Sequence, residues 1–186
     1  MHFKLYFSQS VLFFLILNSF QVSNAQIVGE IWGTTTRGGS NDYGVIFKAA
    51  PDGSGYSVEF SFNENGIWPR GGLIQATDGL LYGLTSTGKN GSLLFSFSPA
   101  TKEFTEKYVF NKPTEGYNPR NNLIQAKNGK LYGVTYLGGI NDAGVLFEYD
   151  LKNGTYAKKF DFGGANGAFP HAGLTEALNG KLYGST

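Results

Sequence analysis

The chain of 186 residues has no cysteine, one methionine, two tryptophans and two histidines. Without cysteine there is no disulfide framework and no thiolate metal site, so core burial has to supply the stability. The histidines stand at positions 2 and 171, which leaves a Cys/His zinc centre without a ligand set and makes His171 an ordinary loop residue. No serine sits in a Gly-x-Ser-x-Gly turn, the usual sign of a serine nucleophile. Charge is scarce too: 16% of residues are Asp, Glu, Lys or Arg, and the formal net charge is +1. A near-neutral chain with no Lys/Arg cluster offers no footprint for a phosphate backbone or an anionic bilayer, which argues against nucleic-acid and membrane-surface partners.

Long apolar runs are also missing beyond the first 20 residues, so no later segment is suited to span a membrane. The N-terminus itself reads as an export signal. His2 and Lys4 form a short n-region, Val11 to Phe20 is apolar apart from Asn18 and Ser19, and Ser23 and Ala25 place small side chains before a cleavage point. The expected mature chain begins at Gln26 and is secreted or displayed at the cell surface. Its formal charge is zero, because the signal carries Lys4 and no acid and leaves 14 bases against 14 acids.

What the chain does have is a period. Ile31-Trp32-Gly33 returns as Leu81-Tyr82-Gly83, Leu131-Tyr132-Gly133 and Leu182-Tyr183-Gly184, at spacings of 50, 50 and 51 residues. Repeats of this length built from strand-like segments and turn signals are the mark of a β-propeller with one four-stranded antiparallel blade per repeat. The expected fold is therefore all-β, with a signal peptide at 1–25 and a repeat region at 26–186. The units are 31–80, 81–130 and 131–181, with a fourth beginning at 182; ordinary propellers need more blades, so the expected propeller is incomplete.

Four strand candidates recur. Strand A is Leu73 to Ala76, Leu123 to Ala126 and Leu174 to Ala177. It joins strand B, the LYG segment, through Asp78-Gly79, Asn128-Gly129 and Asn179-Gly180, dipeptides that supply the positive φ of tight hairpins. Strand C is Val45 to Phe47, Leu93 to Phe95 and Val145 to Phe147. Strand D, Tyr56 to Phe62, alternates apolar and polar residues, the pattern of a strand wet on one face. The glycine inside strand B would weaken a strand unless packing requires it, so its recurrence predicts close backbone approach, with the preceding aromatic as a wedge between blades.

A four-strand meander sends its short turns to one end of the sheet and its longer B–C and D–A loops to the other. Loops on a rigid scaffold are where recognition resides. The long-loop face is thus the expected ligand face, with Arg37, Asp42, Trp68, Arg70, Tyr117, Arg120, Asn141, Asp142 and Phe169 as candidates. Trp68, Tyr117 and Phe169 lie near a proline, and an aromatic ring beside a planar donor suits a glycan or a protein ligand; the alternative is a ring tucked between blades to hold the turn. The bends Gly38 to Asp42 and Gly138 to Asp142 are oxygen-rich but supply one carboxylate each. Turn capping by Asn and Asp is the expected role, no cofactor is expected, and calcium is the alternative.

The unit LYGVTYLGGINDAGVLF, followed after a D strand by GLTEALNGK, resembles the GloVer tandem repeat, a family of exported bacterial proteins with units of the form LYGTT, GG, GxVF and GLIQAxDGxLYG. Gly38-Gly39, Gly138-Gly139, Phe47, Phe95 and Phe147 carry the resemblance over residues 31 to 186. The second unit departs from it, with Gly88-Lys89 for the glycine pair and a B–C loop two residues shorter. The resemblance implies a secreted or surface-anchored propeller-like region without catalytic residues to transfer. The expected function is a binding or scaffold module of unknown ligand. The rival is a lyase or glycosidase on the same scaffold, which would need two carboxylates within about 5 to 10 Å; Glu64 and Asp42 are the pair that the first unit offers.

Overall fold

The computed structural model describes residues 29–111 and 113–186, so the expected signal peptide at 1–25 lies outside the described residues. Among the described residues, thirteen β-strands form four antiparallel sheets. Sheet I contains β1 (Ile31–Thr35), β2 (Val45–Ala49) and β3 (Ser57–Ser61). Sheet II is β4 (Ile74–Gln75), β5 (Leu81–Thr85), β6 (Ser92–Phe97) and β7 (Phe104–Phe110), paired in that order. Sheet III repeats the order with β8 (Ile124–Gln125), β9 (Leu131–Val134), β10 (Val145–Asp150) and β11 (Thr155–Asp161). Sheet IV is the hairpin β12 (Thr175–Glu176) and β13 (Leu182–Tyr183).

A sequence unit therefore does not make one sheet. Residues 31–80 supply β1, β2 and β3 to sheet I and β4 to sheet II, because the tight Asp78-Gly79 turn pairs β4 with β5, the first strand of the next unit. Consecutive sheets are thereby tied by chain connectivity as well as by packing.

The sheets pack face on face. Ile46 and Phe62 of sheet I meet Leu81, Phe95 and Phe97 of sheet II. The opposite face of sheet II turns Tyr82, Leu84, Leu94 and Phe110 toward Leu123, Leu131, Phe147 and Tyr149 of sheet III. Buried on both sides, β5 and β6 have no exposed residue. Trp32 contacts Phe97 with ring centroids 5.9 Å apart, and Tyr82 is buried in the next interface, so these two aromatics of the LYG position are inter-sheet wedges, whereas Tyr183 is exposed. The glycine beside them is explained by its ladder partner. Gly33, Gly83 and Gly133 pair with Phe47, Phe95 and Phe147, and a Cβ would lie 2.5 to 2.7 Å from the phenylalanine Cζ in each case. The phenylalanine ring folds over the glycine and fills the space a side chain would take.

Strand D departs from simple alternation. Each D strand carries a β-bulge, at which the register shifts between Ile46 and Phe47, Leu94 and Phe95, and Leu146 and Phe147. The extra residues, Glu59, Lys107 and Lys159, reverse the phase. Tyr56 and Val58 therefore share the face of Phe47, whereas Phe60 and Phe62 share that of Ile46. This crossover gives sheets I, II and III aromatics on both faces. Phe60 stacks on Phe104 of the next sheet at 4.3 Å, and Tyr108 stacks on Tyr156 at 4.3 Å in the equivalent place.

Candidate ligand-binding face

The site grows from the turns that enter β4, β8 and β12. Trp68, Asn118 and Phe169 each precede a proline and hold left-handed φ values of 57°, 55° and 55°. Backbone bonds enforce that geometry. The Trp68 N–H donates to the Tyr43 carbonyl (3.1 Å) and the Phe169 N–H to the Ala143 carbonyl (2.8 Å), while the Trp68 carbonyl accepts from Ser86 N–H of the next sheet (3.2 Å). In sheet II the Ser92 hydroxyl takes this part in place of a carbonyl: Oγ accepts from Asn118 N–H at 2.9 Å and donates to the Ser86 carbonyl at 2.7 Å. The turns at Trp68 and Phe169 are thus held by main-chain bonds and that at Asn118 by the Ser92 hydroxyl, with Phe169 exposed and Trp68 and Asn118 half-buried.

Against the short B–C loop of sheet II lies a cavity of 470 Å³. Trp68, Arg70, Tyr117 and Asn118 wall it, and the buried Ser86, Ser92 and Phe110 form its base. Arg70 is exposed and has no acidic partner among the described residues. The Arg37 guanidinium lies 5.4 Å from the Trp68 ring centroid and pairs with Asp42 at 2.9 Å. The indole Nε1 of Trp68 is buried and has no hydrogen-bond acceptor, an orphan donor of the kind that native structures rarely leave. Burial and the nearby Asp142 carboxylate push the Tyr117 hydroxyl's pKa up.

A second cluster stands beside it. Arg120 lies over the Tyr136 ring at 3.8 Å, and Tyr136 contacts Phe169 at 5.4 Å and His171 at 4.7 Å. The Arg120 Nε donates to Asn118 Oδ1 at 3.5 Å, which links this cluster to the cavity wall.

Of the nine expected residues, then, Trp68, Arg70 and Tyr117 share one cavity. Arg37 and Asp42 form the ion pair beside it, and Arg120 and Phe169 meet at Tyr136. Asn141 and Asp142 close their own loop: the Asn141 amide donates to the Phe162 carbonyl (3.0 Å) and Asp142 accepts from Gly138 N–H (2.9 Å). Asn41 and Asp42 repeat these bonds, at 3.2 Å to the Phe62 carbonyl and 2.8 Å from Gly38 N–H. Among the described residues no group of three or more His, Cys, Asp or Glu side chains converges on a metal position. Glu64 and Asp42 are committed to different cations, Glu64 to Lys89 at 3.0 Å and Asp42 to Arg37. The Gly38 N–H and Arg37 hold the Asp42 carboxyl below its ordinary pKa, opposite to what a general acid requires.

Sequence reasoning missed Asn118, Ser92 and Tyr136. Asn118 was legible in principle, since it occupies the pre-proline place of Trp68 and Phe169, while Tyr117 aligns with Ile67. The sequence also shows that Ser92 stands where the other units have Gly44 and Gly144, but not that its hydroxyl meets Asn118.

The sequence profile described as a Gloeobacter/Verrucomicrobia repeat matches residues 18–186. No curated protein matches the chain. Among solved structures, the extracellular domain of the BT4673 one-component system from B. thetaiotaomicron is similar with a TM-score of 0.57 and 12% identity, covering 85% of this chain and 19% of that one. A second structure of a BT4673 extracellular domain, described as a hybrid two-component system, gives 0.58 and 14% over the same shares. A protein described as a 6-phosphogluconolactonase from Bacteroides fragilis reaches 0.48 with 18% identity, over 82% of this chain and 43% of that one. The chain spans about a fifth of the BT4673 domains, 19%, and at these identities the likeness is one of fold.

Proposed function

The chain belongs to the Gloeobacter/Verrucomicrobia repeat family, and from that premise we propose that it is an exported binding module whose sheets are blades of a β-propeller and whose long-loop face carries the ligand site. The taper of the sheets supports the propeller. In sheet II the strands lengthen from two residues in β4 to seven in β7, as radial packing about an axis demands, with the short strand innermost. Support also comes from the repeated stacking of one sheet's post-bulge aromatic on the first D-strand aromatic of the next. Export is the role of residues 1–25, and the secreted protein should have the mass of a chain beginning at Gln26. Fold likeness to extracellular domains is compatible with this address.

The observation that carries the binding site is the cavity between Trp68, Arg70 and Tyr117, formed where the second unit's loop is short. A site that recurred in every unit would be scaffold; this one occurs where a unit departs from the pattern. The test is a glycan array on the full chain, with hits quantified by calorimetry and repeated for Trp68→Ala. Removing an aromatic anchor should weaken binding by about 1 to 3 kcal/mol. The melting temperature should stay close to the parent's, because main-chain bonds hold the turn. If Trp68→Ala melts early and binds normally, the ring is a packing element and the site lies elsewhere.

A further inference from the structure

The residue that follows the pre-strand proline is Arg70, Arg120 and His171 in three successive units, an arginine in the first two. Arg120 and His171 both contact Tyr136, but packing does not require Arg70, which is exposed. Nor does charge pairing. Of the chain's three arginines, only Arg37 has an acidic partner among the described residues. Two unneutralised guanidinium groups therefore flank the cavity, Arg70 on its wall and Arg120 behind Asn118.

The described lining contains no carboxylate. Beside Arg70 and Trp68, its polar groups are side-chain amides, such as Asn90 and Asn111, and hydroxyls. Amides both donate and accept, which suits the alternating demands of sugar hydroxyls, and an indole face suits the C–H side of a pyranose. A guanidinium matches a carboxylate with two parallel hydrogen bonds. We infer that this face binds a carboxylate-bearing saccharide, a uronic-acid oligosaccharide, with Arg70 receiving the carboxylate and Trp68 the sugar ring. The inference rests on the binding-site reading above and adds the ligand class to it.

The experiment is calorimetric titration of the full chain with galacturonate, glucuronate and mannuronate tetrasaccharides, each beside its fully methyl-esterified form, and with hexaglutamate. At least one acidic sugar should bind, and its ester should bind about tenfold more weakly, the scale of one charge-assisted bond. Arg70→Gln should abolish that difference with no change in melting temperature, and Arg70→Lys should keep part of it. Acid and ester binding equally would overturn the charge argument while leaving the site in place. Hexaglutamate binding as tightly as the sugars would overturn the saccharide and identify an acidic peptide instead. If no acidic sugar binds, the inference falls; array hits lost in Trp68→Ala would then still uphold the site.

Discussion

Replacing Gly133 by alanine sets two physical effects against each other. A glycine inside a strand is less favourable than alanine by roughly 0.5 to 1 kcal/mol, so backbone considerations alone predict that Gly133→Ala stabilises. Sterics predict the opposite. A Cβ at Gly133 would lie 2.5 Å from Phe147 Cζ and 2.9 Å from Leu123 Cδ2. Phe147 is fully buried and has no room to yield, with Phe110 at 5.2 Å and Tyr156 at 5.7 Å between ring centroids. Overpacking a filled core costs about 1 to 3 kcal/mol, so the net expectation is a loss of about 1 to 2 kcal/mol. In a chain of this size that lowers Tm by roughly 3 to 6 °C. Gly33→Ala supplies the control. Its clash with Phe47 is similar at 2.7 Å, but Phe47 is only half-buried and its ring can swing outward, so the loss should be clearly smaller. Urea unfolding followed by circular dichroism measures both. The double variant Gly133→Ala/Phe147→Leu should lose less than the sum of its parts, because leucine removes the clashing ring atoms. Stabilisation by Gly133→Ala, or strict additivity in the double variant, would refute the reasoning.

Two further outcomes follow from single hydrogen bonds and charges. Ser92→Ala strands the Asn118 N–H at the base of the cavity and should destabilise the chain by about 1 to 3 kcal/mol, with faster hydrogen exchange at the Asn118 amide; unchanged exchange would show that the hydroxyl is not its partner. Glu148, bonded to Lys130 at 2.8 Å and Tyr132 at 2.7 Å, is held below its ordinary pKa by those two bonds. Its contribution is present above the unfolded carboxyl value, about 4.3, and is lost as pH falls through the lower folded value. The stability gap between parent and Glu148→Gln should therefore narrow on acidification from about pH 5 to pH 3, and a gap constant with pH would contradict the assignment.

The repeat made most of the architecture legible. Turn dipeptides at 78–79, 128–129 and 179–180 identify the A–B hairpins, and the LYG and xxF segments identify strands B and C, because local backbone chemistry determines these elements. The bulge in strand D was not legible. Tyr56 to Phe62 alternates in sequence, and only pairing against β2 reveals that Glu59 is extra and that the aromatics change faces at it. The candidate face was half legible: the loops and their aromatics could be named, but which of them converge could not.

By itself the sequence determined the all-β class, the 50-residue period, the tight turns and the requirement for glycine in strand B, since each depends on residues close in the chain or on a pattern repeated along it. Tertiary structure alone decided three things: that Phe147 is the atom-level reason for Gly133, that each sequence unit is shared between two sheets, and that Trp68, Arg70 and Tyr117 border one cavity. The physical reason is range. Trp68 and Tyr117 lie 49 residues apart in the chain and meet only because neighbouring sheets bury their faces against each other, a condition set by packing rather than by local sequence.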